Sequence, residues 1–180
     1  MNKVIEKIGY RVLRNRAKKV ARDKSVQNFD TAKSAVILFD TSLKNCFPPI
    51  KEFSKFLKDK GIKTAVFGYV PQKETPQEML LWANFEFINR KDVNWFGSPK
   101  GEVVEHYLNK IPDMLFVISF RQMLPLEYLV WLSQAKFKIG CFTEDENDLD
   151  LMINPAGIAC ETDYFIEQVK HYIKLLNPKN

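Results

Sequence analysis

Short runs of apolar residues alternate along this chain with segments in which apolar residues recur every three or four positions. Residues 34–39 (SAVILF) form an apolar run, residues 50–57 carry apolar residues at helical spacing, and residues 62–70 are largely apolar again. A run that is apolar on both faces is typical of a strand buried inside a parallel sheet. These three segments predict a β-α-β unit, whose crossover is right-handed in nearly all proteins.

The alternation continues toward the carboxyl terminus. The pattern predicts, in order, a short helix from Thr75, a strand at 85–88, a helix at 103–108, a strand at 114–120, a helix at 125–135, strands at 136–142 and 151–153, and a helix at 163–176. Such a succession is typical of an open sheet covered by helices on both faces. We therefore predict an α/β domain over residues 34–176, with three layers and a mostly parallel sheet of the Rossmann or flavodoxin-like type.

The first 24 residues follow a helical pattern. Apolar side chains recur at helical spacing from Ile5 to Val20, and most positions between them are lysine or arginine. This pattern predicts a basic amphipathic helix over residues 1–24. Residues 25–33 (SVQNFDTAK) have no period and contain turn formers, so we predict a linker between the helix and the α/β domain.

Charge is distributed unevenly along the sequence. Residues 1–24 hold nine lysines and arginines against two acids, a charge of +7, whereas the rest of the chain carries −2, which gives the net charge of +5. A basic arm of this kind is typical of proteins that contact a polyanion. The sequence favours RNA or a ribonucleoprotein particle as partner, contacted by Lys7, Arg11, Arg14, Arg16, Lys18, Lys19 and Arg22. An anionic membrane surface, a protein partner and a simply solvated helix remain open alternatives.

Composition excludes several classes of protein. Hydrophobic residues fill 46% of the 180 positions and charged residues 27%, as in folded domains rather than disordered or fibrous chains. The three cysteines are odd in number and far apart, which favours a reducing compartment over a disulfide framework. No apolar run approaches the roughly 20 residues that cross a bilayer, and the start lacks the pattern of a secretory signal. We expect a cytoplasmic protein.

Polar residues follow several predicted strands at their carboxyl ends. In open parallel sheets, ligands bind beyond these ends, where the connecting loops leave the sheet. The rule selects six residues for a small-ligand crevice: Asp40, Thr41, Ser42, Tyr69, Ser119 and Arg121. It predicts a position and no particular chemistry.

The sequence contains no recognisable catalytic, cofactor or metal motif. Position 42 is serine, whereas the phosphotransfer pattern DxDxT that would make Asp40 a nucleophile needs aspartate there. The seven glycines form neither GxGxxG nor a P-loop, and His106 and His171 lack a second ligand at metal spacing. We expect no catalytic residue, cofactor or metal ion, and a binding protein rather than an enzyme. A ligand-binding or transferase-like domain and a peripheral membrane or scaffold protein are the alternatives.

Two further groups of side chains have competing interpretations. Five carboxylates between Glu144 and Asp150 lack the spacing of a calcium loop, and a solvated loop is the simpler prediction. Bases stack on aromatic rings beside cations, a combination found here in Trp82, Phe85, Phe87, Trp95 and Phe96 with Arg90, Lys91 and Lys100. Packing of these rings into a core is the simpler prediction.

Several segments together resemble a known family. The basic first helix, the strand ending at Asp40, residues 89–100 (NRKDVNWFGSPK) and residues 132–140 (LSQAKFKIG), followed by DLMI at 150–153, resemble a family of small bacterial α/β proteins of unknown function. A shorter resemblance, over residues 114–119 and 135–140, is to the acceptor half of heptosyltransferase-type glycosyltransferases. Those enzymes bind the nucleotide-sugar in a second Rossmann-like domain, so this resemblance implies a fold and not a complete transferase.

Overall fold

Six strands form one sheet whose order is that of the Rossmann fold. In the computed structural model, which describes residues 3–154 and 161–178, the strands are β1 (Ser34–Asp40), β2 (Lys63–Val70), β3 (Phe85–Asn89), β4 (Met114–Ile118), β5 (Phe137–Cys141) and β6 (Leu151–Ile153). They lie in the order β3-β2-β1-β4-β5-β6, and every neighbouring pair is parallel. The predicted α/β class and parallel open sheet are confirmed.

Helices cover both faces of this sheet. The described α-helices are α1 (Lys3–Ala17), α2 (Phe47–Asp59), α3 (Gln77–Leu80), α4 (Glu102–Leu108), α5 (Leu124–Leu132) and α6 (Thr162–Leu175). Helices α2 and α6 contribute to the core on one face, and α4 and α5 contribute to the core on the other. None of the described helices combines the length and the apolar character that crossing a membrane requires.

The central strand β1 is apolar at five consecutive positions, 35–39, because neither of its faces meets solvent. Ile37 and Phe39 pack into the core that α2 and α6 cover. Val36 and Leu38 point the other way, into the core that α4 and α5 cover. A strand between two helical layers therefore lacks the alternation of apolar and polar residues that marks a half-exposed strand.

Helix α1 adds a layer outside α5. Leu13 is 1% exposed and packs with Leu124 and Tyr128 of α5. The Tyr128 hydroxyl donates a hydrogen bond of 2.8 Å to the carbonyl oxygen of Gly9. The apolar stripe predicted for the basic helix therefore packs against α5 of the same chain.

The basic helix is shorter than the predicted range of 1–24, because it ends at Ala17. Beyond its last turn, the Arg22 side chain donates hydrogen bonds to the carbonyl oxygens of Ala135 and Lys136. The Ser25 N–H donates a hydrogen bond of 3.2 Å to the carbonyl oxygen of Lys136. Hydrogen bonds to the body of the domain replace the helical ones. In the segment predicted as a linker, Phe29 is 5% exposed and belongs to the core on the α2 and α6 face.

Candidate functional site

The carboxyl ends of β1 and β4 mark the point where the strand order reverses. The chain leaves β1 toward α2 on one face of the sheet and leaves β4 toward α5 on the other. The two loops therefore diverge at this point, and sheets of this topology bind ligands beyond the strand ends there. Direct hydrogen bonds bring together three of the six predicted crevice residues, Asp40, Ser42 and Arg121.

Asp40 is the buried centre of this group. It is the last residue of β1 and is 0% exposed. Its Oδ1 accepts hydrogen bonds from the Ser42 backbone N–H at 2.9 Å and from the Ser42 hydroxyl at 2.6 Å. Its Oδ2 accepts one from Arg121 Nε at 2.9 Å. These partners are required, because a buried carboxylate without them strongly destabilises a fold.

Arg121 is held along one edge of its guanidinium group. Nε donates to Asp40 and Nη2 donates to the Ser42 hydroxyl at 2.5 Å. Ser119, also a predicted crevice residue, donates a hydrogen bond of 2.9 Å to the Arg121 carbonyl and thereby shapes the loop. The Arg121 side chain is still 54% exposed. A guanidinium fixed in this way presents its remaining N–H groups in a defined direction.

Thr41 and Tyr69, the remaining predicted crevice residues, join β1 to β2. The Thr41 N–H and hydroxyl donate to the Tyr69 carbonyl oxygen at 3.1 Å and 3.0 Å. Both residues are buried, and neither lines the cavity beside Arg121. Burial raises the pKa of the Tyr69 hydroxyl, although the charge of Arg90 and a hydrogen bond from it oppose the shift.

A cavity of about 320 Å³ adjoins Arg121 between β4, β5 and α5. Small-molecule sites begin at roughly this size. Its apolar lining consists of Val117, Leu126, Val130 and Leu149, with Phe120, Cys141 and Phe142 at the strand ends. Its polar lining consists of Ser119, Arg121, Gln122, Glu127, Thr143, Asp145 and Asn147. Such a lining suits a ligand that has both apolar and polar parts.

Glu127 lies in this cavity and is a residue that sequence reasoning did not select. Burial and, to a lesser extent, the charge of Asp145 raise the pKa of Glu127 to about 7, although a hydrogen bond from Trp131 opposes the shift. The one signal in the sequence is that Glu127 is the only charged residue of α5, LPLEYLVWL. Its proximity to Asp145 depends on the loop after β5, which no periodicity predicts.

Three of the seven cations predicted to bind a polyanion are engaged within the chain. Arg14 forms an ion pair of 2.6 Å with Glu146, and Arg16 donates to the Ser98 hydroxyl at 3.0 Å. Arg22 is bound as described above and also contacts Asp150. Over the described ranges, the other four cations are exposed and have no carboxylate within 4 Å: Lys7, Arg11, Lys18 and Lys19.

The acidic segment before β6 binds the amino-terminal arm. The Arg22 side chain, 5% exposed, contacts Asp150 and lies 3.9 Å from Asp148. The fully buried Lys138 of β5 donates to Asp148 at 2.5 Å, and burial lowers the pKa of Lys138 to about 8 against the opposing effect of Asp148. The prediction of a solvated loop therefore fails at Asp148 and Asp150, whose side chains are 25% and 17% exposed.

The aromatic group considered for base stacking is divided by the fold. Trp82 stacks on Phe47 with ring centroids 5.1 Å apart, and Phe85 also packs against Phe47. Trp95 lies elsewhere, 67% exposed, with its ring edge-on to Phe96. The described structure therefore offers no continuous row of these five aromatic faces.

Comparison with known proteins gives a family and no activity. The model of the "Family of unknown function (DUF6913)" matches residues 3–176. No curated protein is detectably similar to the chain, and the resemblance to heptosyltransferase-type glycosyltransferases finds no support. The predicted membership of an uncharacterised family is confirmed. Because the match covers nearly the whole sequence, the chain belongs to the family of unknown function DUF6913.

Proposed function

We propose that the crevice at the reversal point binds a small metabolite through an anionic group, a carboxylate or a phosphate, which contacts Arg121. The observation that carries the proposal is the Arg121 guanidinium, which the fully buried carboxylate of Asp40 holds at the border of a cavity. The cavity lies beside β4, next to the point where the strand order reverses, and open α/β sheets bind ligands in this region.

Two physical arguments support an anionic ligand. The hydrogen bonds from Arg121 to Asp40 and Ser42 orient the guanidinium before a ligand arrives, so that binding loses less side-chain entropy. The cavity is partly apolar, and a charged hydrogen bond is stronger in such surroundings than in water.

Replacement of Arg121 by glutamine is expected to weaken binding of small anions by about tenfold or more, the usual effect of removing a charged hydrogen-bond partner. The probes are inorganic phosphate, glycerol 3-phosphate, citrate and hexanoate, examined by thermal shift and then by isothermal titration calorimetry. Arg11→Gln is the matched control, because Arg11 is an exposed arginine of α1 without a carboxylate partner among the described residues. Equal affinities of Arg121→Gln and the parent protein, or no binding of any probe, would contradict the proposal.

A second candidate function is contact with RNA through the outer face of α1. The observation that favours it is the set of four cations without an acidic partner in the described structure, Lys7, Arg11, Lys18 and Lys19. Cations that no carboxylate neutralises remain available to phosphates. Arg14, Arg16 and Arg22 contribute less to this face than the sequence alone implies, because each has a partner inside the chain.

Charge reversal of these four cations to glutamate is expected to abolish binding of a 20-nucleotide poly(U) at low salt. In the parent protein the affinity should fall steeply with added salt. The logarithm of the association constant plotted against the logarithm of the salt concentration should have a slope of about −3, as expected for four phosphate contacts on a single strand. The control reverses four exposed lysines elsewhere on the domain, Lys55, Lys58, Lys63 and Lys174. Loss of binding in both variants, or in neither, would remove α1 as the contact surface.

A further inference from the structure

We propose that the ligand of the crevice is a zwitterion: its anionic group contacts Arg121, and a cationic group at its other end contacts Glu127 and Asp145. This inference rests on the proposed function and specifies its ligand class. The supporting observation is that residues of opposite charge line one cavity, with apolar residues among them.

Among the described residues, the two carboxyl groups have no ion-pair partner of opposite charge. Throughout residues 3–154 and 161–178, no lysine, arginine or histidine lies within 4 Å of the carboxyl group of Glu127 or Asp145. The described hydrogen-bond partners of these carboxyl groups are Trp131 for Glu127 and the Thr143 hydroxyl for Asp145. A cationic group of a ligand would therefore supply the missing charge, which a neutral or purely anionic ligand would not.

Among the described residues, Arg121 and the two carboxyl groups line the same cavity but do not form ion pairs with each other. Of the carboxylates in the described chain, Asp40 is the one within 4 Å of Arg121, so the guanidinium does not neutralise Glu127 or Asp145 directly. Apolar side chains also line the cavity, including Leu126 and Val130 of α5. A ligand with an aliphatic spacer between its two charges matches the guanidinium, the apolar side chains and the two carboxyl groups of this lining. A nucleotide, with several negative charges, would be repelled by the two carboxyl groups.

Matched probes test the inference directly. We would measure the affinities of 4-aminobutanoate, 6-aminohexanoate and 8-aminooctanoate against butanoate, hexanoate and octanoate by calorimetry. At least one amino acid of the series should bind about tenfold more tightly than the carboxylate of the same length, as expected for one additional charged hydrogen bond. Glu127→Gln should remove this preference, because it should weaken binding of the amino acid but not binding of the carboxylate. Glu105→Gln, on the exposed surface of α4, is the control.

The pH dependence provides a second readout. Asp145, from the loop after β5, and Tyr10, from α1, are the titratable groups that interact with Glu127, and burial raises the pKa of Tyr10 to about 12. Because the pKa of Glu127 is raised to about 7, its ionised fraction and the affinity for the amino acid should both rise from pH 6 to pH 8. The affinity for the carboxylate should not rise over this range, because ionised Glu127 repels negative charge. The affinity of Glu127→Gln for the amino acid should be nearly independent of pH.

The outcomes separate the two proposals. If the carboxylates bind through Arg121 and an amino group does not increase their affinity, the zwitterion proposal is overturned, whereas the proposal of anion binding stands. No binding in either series, together with no binding of the other anions, would overturn both. A preference for amino acids that survives in Glu127→Gln would show that the cationic group lies elsewhere.

Discussion

Replacement of Asp148 by alanine is expected to lower the free energy of unfolding by about 3 to 4 kcal/mol, because it leaves a buried lysine without its counter-charge. Lys138 is 0% exposed, and its ammonium group donates to Asp148 Oδ2 at 2.5 Å and to the Val130 carbonyl oxygen at 2.6 Å. Without Asp148 the ammonium group keeps the hydrogen bond to the carbonyl and the weaker attraction of Asp150, and burial strongly disfavours the ionised form. Urea unfolding at pH 7 measures the loss.

Removal of the lysine itself should be much milder. Lys138→Met deletes the buried charge and keeps most of the side-chain volume, and replacing a buried ion pair by an apolar group is often close to neutral. Glu146→Ala, which breaks the exposed ion pair with Arg14, should change stability by less than about 1 kcal/mol. If all three variants lost the same stability, the buried charge would not be the cause.

The defect of Asp148→Ala should also shrink at high pH. Burial lowers the pKa of Lys138 to about 8 in the folded chain, while its ordinary value is 10.5. A base whose pKa is lowered by folding destabilises the fold most at low pH, and this effect disappears as pH rises from the folded to the unfolded value. The unfolded value is the same for both proteins, so the difference between them depends on their folded values, and without Asp148 the folded pKa of Lys138 is lower still. The difference between the variant and the parent protein should therefore decrease as the pH rises from 6 to about 8, and it should be constant above pH 8. A difference that does not decrease below pH 8 would contradict the explanation.

Gly9→Ala should lower the free energy of unfolding by about 2 to 3 kcal/mol, although alanine is the better helix former by about 1 kcal/mol. A Cβ atom on Gly9 would overlap the carbonyl oxygen of Phe96 and Cδ2 of Leu124. The Phe96 oxygen belongs to the backbone, which cannot turn away as a side chain does. Helix α1 would therefore have to move off α5, and the hydrogen bond from Tyr128 to Gly9 would be strained.

Urea unfolding and hydrogen exchange of the α1 amides measure this effect. Asn15→Ala is the matched control, because Asn15 is exposed on the same helix and its replacement should be neutral or slightly stabilising. Faster exchange confined to α1 in Gly9→Ala would locate the damage at the contact with α5. Greater stability of Gly9→Ala than of the parent protein would show that α1 does not need this close approach.

The sequence predicts the crevice in part. The positional rule identifies Asp40, Ser42 and Arg121 because each follows an apolar run, but it cannot show that Asp40 and Arg121 bond, since they are 81 residues apart. Glu127 is not selected, because its altered pKa depends on burial and on Asp145 in a distant loop. Periodicity reports which face of an element is buried and does not report which loops meet.

The order of apolar runs and helical patterns along the sequence was enough to predict the class of fold, because strands that are apolar on both faces are typical of a parallel sheet covered on both sides. The same pattern predicted a basic helix with an apolar stripe, and α1 occupies Lys3–Ala17 of that range. The packing of that stripe and the set of available cations depend on the tertiary structure, because Arg14 and Arg22 pair with carboxylates more than 120 residues away. Ion pairs and cavities form between segments that are distant in the sequence and that the fold brings together. The local spacing of residues does not predict which of these segments meet.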